Sequence, residues 1–264
     1  MVENALEIRG LNKSFGALKV ICNFDLSIPT GARHAIIGPN GAGKTTLFNL
    51  VTGWVRPTSG TVLVHGQPLE MKSPQAIVRA GFARSFQRNM LMEGLTVLEN
   101  LRLACQAFSA SRWQMFQRAS GCPDVVKKAK SIAERLELDN VLTRLVRELS
   151  YGQKRQLEVA IALCAEPRIL LMDEPAAGTS PSERKQLIAL IRGLSSDLTL
   201  LLVDHDMDVV FELCGQITVL SYGKVLASGD RETVSNNPSV REAYLGKHAR
   251  DRQPQAASEN SAVH

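Results

Sequence analysis

No two cysteines in this 264-residue chain are spaced as CxxC. Cys22, Cys105, Cys122, Cys164 and Cys214 are scattered, with one left over. That speaks against a zinc or disulfide framework and for reduced thiols. No uninterrupted apolar run is long enough to span a bilayer, and the N-terminus does not read as a signal peptide. The expectation is a cytosolic protein, unless a partner holds it elsewhere. Nor is there an internal repeat or a strong charge of one sign. A net charge of +5 suits a polyanionic ligand or an anionic surface without requiring either.

What is present is a strand-and-helix alternation long enough for one large α/β domain with a sizeable insertion. "ALEIRGL" and "LKVICNFDLSI" read as strands closed by a turn at Pro29–Gly31, and "HAIIG" as a short buried strand. Helical character from Thr45 to Leu50 precedes the strand and turn of "TVLVHGQPL". The pattern changes near residue 87, and from Thr96 to about Leu149 it is helical, opening on a Thr96/Glu99 capping box, with polar breaks around Ser109–Arg112 and Ser120–Asp124. Strands resume with "RILLMDE" and "LTLLLVDHD", separated by a helix with Leu187, Ile188, Ile191 and Leu194 on one face. "ITVLSYGKVLASG" reads as a hairpin around Tyr222-Gly223. The expected layout is a nucleotide-binding core at about 1–87 and 157–247, a helical insertion at about 88–156, and a disordered polar tail at 248–264.

Chemistry concentrates where strands end. "GPNGAGKTT" runs from Gly38 through Pro39, Asn40, Gly41, Ala42, Gly43, Lys44 and Thr45 to Thr46, after a strand and into a helix. Glycines there let backbone N–H groups converge on phosphates, Lys44 reaches their terminal end, and Thr45 offers a hydroxyl to Mg²⁺. "RILLMDEP" delivers Asp173, suited to holding Mg²⁺ through water, and Glu174, suited to deprotonating an attacking water. His205 follows another apolar strand, at the edge where ligands gather in parallel sheets. The Gln87 amide can reach water or metal, and Phe15 can stack on a base or fill core. Met90, Leu91 and Met92 are equally suited to core or to a partner-binding groove.

"LSYGQKRQLE" (149–158) contains a second candidate phosphate site. Ser150 and Gln153 have capping-box spacing, which alone needs no ligand. Gly152 tips the balance, because glycine in a first helical turn costs about 1 kcal/mol relative to alanine. A cap does not need it; an anion approaching the backbone closely does.

In this order the motifs resemble the ABC-type ATPases, with "GPNGAGKTT" as Walker A, Gln87 as the Q-loop and "LSYGQ" as the signature. "ILLMDE" matches Walker B, His205 the switch histidine and Phe15 the base-stacking aromatic. "ARSFQRNMLMEGLTVLENL", "DEPAAG", "DHDMDVV" and "NNPSVREAYLG" are similar to the branched-chain amino acid importer ATPases. The resemblance implies an α/β P-loop NTPase of ABC type, with a mixed, largely parallel sheet core, an N-terminal antiparallel β part and an inserted α-helical subdomain. It implies ATP and Mg²⁺ as cofactors and a second ATPase subunit, self or related, whose nucleotide would meet Ser150, Gly152 and Gln153. Permease subunits, an indirectly coupled solute-binding protein, and a peripheral place on the cytoplasmic face of the membrane follow from the same likeness. Two departures stand out: Thr179-Ser180 replaces the usual Leu-Asn in the dimer-contact loop, and the helical insertion is short. Ser180-Pro181-Ser182-Glu183 still forms a capping box with proline at the first helical position. The alternatives are a soluble ABC ATPase acting on nucleic acid or ribosomes, and a nucleotide-holding module without turnover. Neither a second ATPase domain nor a long coiled coil is present for the first, and an intact Glu174 opposes the second; no nucleic-acid partner is expected.

Overall fold

Three apolar runs become neighbours in the computed structural model, which describes residues 3–69, 74–85, 91–108 and 123–243. They are β3 (Arg33–Ile37), β7 (Ile169–Asp173) and β8 (Thr199–Val203), and β8 lies between the other two in parallel. With β6 (Phe82–Ser85), β9 (Gln216–Ser221) and β10 (Lys224–Gly229) they make a six-stranded sheet of order β10-β9-β3-β8-β7-β6. Only the β9–β10 hairpin pairs antiparallel in it. β1 (Asn4–Phe15), β2 (Leu18–Pro29), β4 (Ser59–Val64) and β5 (Gln67–Pro68) form a separate antiparallel sheet of order β2-β1-β4-β5. The expected mixture of a parallel core and an N-terminal antiparallel part is present.

The central strands are apolar without alternation because both faces are covered. Ala35 and Ile37, Leu170 and Met172, Leu200 and Leu202 point into a core shared with the helices. Ile36, Ile169 and Leu171, Leu201 and Val203 point the other way, into a core shared with the antiparallel sheet and α1 (Lys44–Val51). The inserted layer contains α3 (Val97–Ala107), α4 (Pro123–Arg135) and α5 (Tyr151–Leu163). Thr96 and Glu99 cap α3 reciprocally, as expected. α5 runs unbroken past residue 156, where the insertion was expected to end, and buries Leu157, Val159 and Ala160 against the main core.

The helical character expected up to about Leu149 ends earlier, with α4 at Arg135. Glu137 adopts a left-handed conformation (φ 54°) after α4, and two short 3₁₀ turns follow at Asp139–Val141 and Val146–Glu148. The intervening chain serves the start of α3 instead, accepting Val97 N–H at Arg144 O and Leu98 N–H at Leu142 O. Free helix-terminal donors have thus been satisfied by a returning strand of backbone. The polar breaks expected at 109–112 and 120–124 lie largely outside the described residues, as does the expected tail at 248–264. α6 (Pro181–Arg192) buries Leu187, Ile188 and Ile191, and α2 (Pro74–Arg79), α7 (Met207–Leu213) and α8 (Arg231–Asn236) complete the described helices.

One buried group makes the fold sensitive to acid. His34 on β3 is almost fully enclosed, with Nε2 2.8 Å from Thr218 Oγ1, which in turn lies 2.9 Å from Ser228 Oγ. Burial pushes its pKa down to about 4, so the imidazole is neutral in the folded chain. An unfolded histidine titrates near 6.5. Between those values only the unfolded chain takes up the proton, so stability is full above about 6.5 and is lost as pH falls towards 4. The expected loss approaches roughly 3 kcal/mol, at 1.36 kcal/mol per pKa unit. Urea unfolding at stepped pH should show this slope, and His34→Gln, which keeps a hydrogen-bonding side chain, should flatten it.

Candidate functional site

The parallel register puts the C-terminal ends of β3, β7 and β8 on one edge: Ile36 pairs with Val203, and Asp173 with Val203 from the other side. The Gly38–Gly43 loop leaves β3 there and turns into α1. Gly43 sits at φ 107°, and a Cβ on it would lie 2.9 Å from both Val20 O and Ile21 Cδ1, so only glycine fits. Lys44 Nζ donates to Gly38 O (2.6 Å) and Pro39 O (3.1 Å), folding the ammonium back over the loop. Thr45 is exposed and Thr46 half-buried at the head of α1.

Asp173 ends β7 with its side chain buried. Burial raises its pKa, the Arg84 guanidinium opposes that, and the nearby Glu174 and Asp204 carboxylates reinforce it. Asp173 Oδ2 lies 3.5 Å from Arg84 Nη2 and has no closer hydrogen-bond partner among the described residues. Among the described residues no three potential ligands cluster into a cage of their own. That donor set fits Mg²⁺, which typically takes one or two carboxylates, keeps waters and completes its shell with substrate phosphates.

Glu174 adopts φ 47°, a left-handed conformation uncommon outside glycine, and its N–H is fixed by Val203 O at 2.8 Å. This outlier sits where catalysis was expected. Its Oε1 is 3.0 Å from His205 Nδ1, so the structure brings together two residues thirty-one positions apart. Asp204 builds the turn that presents His205: buried beneath it, Oδ1 accepts His205 N–H (2.7 Å) and Asp206 N–H (2.9 Å). Burial holds the Asp204 pKa above its ordinary value despite those two bonds. Phe15 ends β1 half-exposed, with Lys13 Nζ 4.7 Å from its ring centroid. Gln87 lies outside the described residues.

The second site is arranged differently. Ser150 caps α5, its Oγ accepting Gln153 N–H (3.2 Å), while the Gln153 side chain accepts Ser150 N–H (3.1 Å). The capping box is real, yet Gly152 has a further role. Glu183 Oε1 accepts from both Ser150 Oγ (2.9 Å) and Gly152 N (3.0 Å). None of these groups bonds to the Gly38–Thr46 loop among the described hydrogen bonds. Sequence reading placed Glu183 only in the α6 cap, which it also forms; its reach to α5 is a feature of the tertiary structure. Arg84 beside Asp173 was likewise unmarked in the sequence.

Between the inserted helices and the core lies a mainly apolar groove of about 350 Å³, bounded by Trp54, Phe82, Leu91, Phe108 and Ile161. Leu91 serves both readings, being buried in the core cluster and lining this groove. Met92 is exposed and is not part of the lining, and Met90 lies outside the described residues. Glu158 also borders the groove, paired with Arg155 at 2.7 Å, and its buried Oε1 has no partner among the described residues.

A phosphate-cradling loop between a parallel strand and a helix, with two carboxylates and a histidine on the same sheet edge, defines a P-loop nucleotide-hydrolysing domain. Comparison with known proteins narrows the class. The model of the ABC transporter family matches residues 21–177, and that of the branched-chain amino acid ATP-binding cassette transporters matches 224–250. The high-affinity branched-chain amino acid transport ATP-binding protein LivG of Escherichia coli K12 is 39% identical over 256 residues, covering 94% of this chain and all of that protein. BraF of Pseudomonas aeruginosa, described in the same terms, is 37% identical across 92% of this chain and 98% of its own. A crystal structure of an ABC transporter's ATP-binding cassette in its ADP conformation superposes with a TM-score of 0.82 at 31% identity, covering 93% of this chain and all of that one. The chain belongs to the ABC transporter family, as one of its ATP-binding ATPase subunits.

Proposed function

We propose that this chain energises a membrane importer of branched-chain amino acids, closing on ATP with a second ATPase subunit and reopening after hydrolysis. The observation that carries the ATPase chemistry is the Glu174–His205 contact on the sheet edge that also bears Lys44 and Asp173. The transported class is supported by the likeness to LivG and BraF over nearly their whole lengths. The same likeness speaks against the nucleic-acid reading. Residues 1–247 act as one ABC ATPase domain, with the inserted helices of about 88–156 carrying the signature.

Lys44 exchanges its two loop carbonyls for phosphate oxygens, while backbone N–H groups of Gly38, Pro39-flanked Asn40, Gly41, Ala42, Gly43 and Thr46 wrap the polyphosphate. Thr45, Asp173 and Gln87 would hold Mg²⁺, whose charge neutralises the phosphate oxygens when bound. Glu174 accepts the proton of the attacking water. His205 holds the Glu174 carboxylate through Nδ1 and reaches the terminal phosphate, and Phe15 stacks on the base. Ser150, Gly152 and Gln153 serve the nucleotide on the partner's Walker A. The groove beside Leu91 receives the permease, and the subunit sits peripherally on the cytoplasmic face; among the described residues no helix is long and apolar enough to cross a membrane.

Deleting this chain from its source cell should abolish uptake of labelled leucine, isoleucine and valine, restored by the wild-type chain and not by Lys44→Ala. Unchanged uptake of all three would reassign the solute. Glu174→Gln should retain ATP binding and lose about 10²–10⁴ in turnover, the usual cost of a missing general base. Elution on size exclusion with MgATP should then shift to the closed dimer; near-normal hydrolysis would take Glu174 out of the mechanism.

The trans assignment has its own test. Ser150→Arg spoils the site on the partner's Walker A, whereas Lys44→Ala spoils the chain's own. In a mixed dimer one site regains both good halves and the other collects both lesions. Where cross-linking shows that mixed dimers form, mixing the two inactive variants should recover ATPase activity. Activity no greater than the sum of the separate variants would return Ser150 and Gln153 to a plain helix cap.

A further inference from the structure

We propose that the Glu183 carboxylate is an internal stand-in for the partner's terminal phosphate, latched on the signature site and expelled when ATP closes the dimer. The proposal rests on the trans reading of Ser150 and Gly152 and adds to it what holds the site beforehand.

The donors assigned to the incoming phosphate are already taken by an anion. Glu183 Oε1 receives Ser150 Oγ–H at 2.9 Å and Gly152 N–H at 3.0 Å. Contact with the helix backbone is so close that a Cβ on Gly152 would lie 2.6 Å from Oε1 and 2.7 Å from both Cδ and Cγ. The glycine that the cap does not need is thus the surface on which this carboxylate rests. Glu183 Oε2 meanwhile accepts Ser180 N–H (3.0 Å) and Ser180 Oγ–H (2.8 Å), capping α6. One carboxylate therefore bridges the starts of two helices, where partial positive charge favours an anion. Those donors, Ser180 first and then Ser150 and Gly152, hold its pKa down to about 2, so it is charged at any working pH.

Two anions cannot share the Ser150–Gly152 donors. Their like charges would stand at hydrogen-bonding distance from the same two protons. A terminal phosphate carries more charge and more acceptor oxygens than a carboxylate, so it wins the exchange. A nucleotide that lacks that phosphate offers nothing at this position and leaves the latch in place. Glu183 is built to yield without unfolding its helix: Oε1 can leave α5 while Oε2 retains the Ser180 cap. The latch thus sets a threshold for closure that favours ATP over ADP.

The test is ATP-driven dimer closure in the hydrolysis-deficient Glu174→Gln background, followed by sedimentation against rising MgATP, with whichever ATPase subunit the chain pairs with, itself included. Glu183→Gln keeps the S-x-x-Q capping box and removes the charge that makes these bonds roughly twice as strong as neutral ones. Thermal melts of both proteins establish that the fold is intact. The MgATP midpoint for closure should fall by roughly three- to tenfold, the effect of weakening such a charged pair of bonds. A midpoint that stays or rises while Ser150→Arg still blocks closure overturns the latch and leaves the trans reading standing. Closure indifferent to Ser150→Arg removes both.

Discussion

The register of three parallel strands is the constraint on which the rest depends. Because β8 hydrogen-bonds to β3 on one side and β7 on the other, Val203 is level with both Ile36 and Asp173. One residue past that line come Glu174 on one strand and Asp204 on the next, with the Gly38 loop two residues past it on β3. A slip of one residue would turn every side chain to the opposite face and drive Asp173 out of its buried place. Both faces of each strand lie in a core, so a slip would mismatch the packed side-chain shapes on two sides at once. Packing energy far from this sheet edge thereby fixes the spacing of the polar groups along it.

That ladder also explains why the Glu174–His205 pair is legible in the sequence and its surroundings are not. "RILLMDE" and "LTLLLVDHD" announce buried strands ending in polar residues, and parallel pairing makes those endings converge. Local patterns such as the capping boxes at Thr96, Ser150 and Ser180 were equally readable, because donor and acceptor lie within one turn. Arg84 against Asp173, and Glu183 against Gly152, join elements separated in sequence by whole helices, and no periodicity marks them. The insertion beyond α4 was misread for the same reason. Its helical composition yields to long-range backbone bonds from Leu142 and Arg144 to the start of α3.

Gly152 shows how a local irregularity can point to a kind of contact and leave its source open. Its position in a first helical turn pointed to an anion resting on the backbone, and an anion does rest there. In the free chain that anion is the chain's own carboxylate. A helix start left with empty donors would draw water or a stray ion; one served by Glu183 is ordered before any nucleotide arrives, with Ser150 Oγ already turned towards an acceptor. Preorganised donors of this kind need little rearrangement when the acceptor changes.

The same economy runs through the Walker A loop. Lys44 is held by Gly38 and Pro39 carbonyls, neutral acceptors that surrender it to phosphate without leaving a buried charge behind. On the reading proposed above, both halves of a composite nucleotide site are closed by internal substitutes: carbonyl dipoles for the lysine, a carboxylate for the signature. The two are not equal. Carbonyls yield to any polyphosphate, whereas the Glu183 carboxylate yields only to an anion that reaches Ser150 and Gly152 with more charge than its own. On the proposed reading, nucleotide capture by one chain and closure onto the next answer to different electrostatic thresholds, with ATP loading first and the dimer closing second.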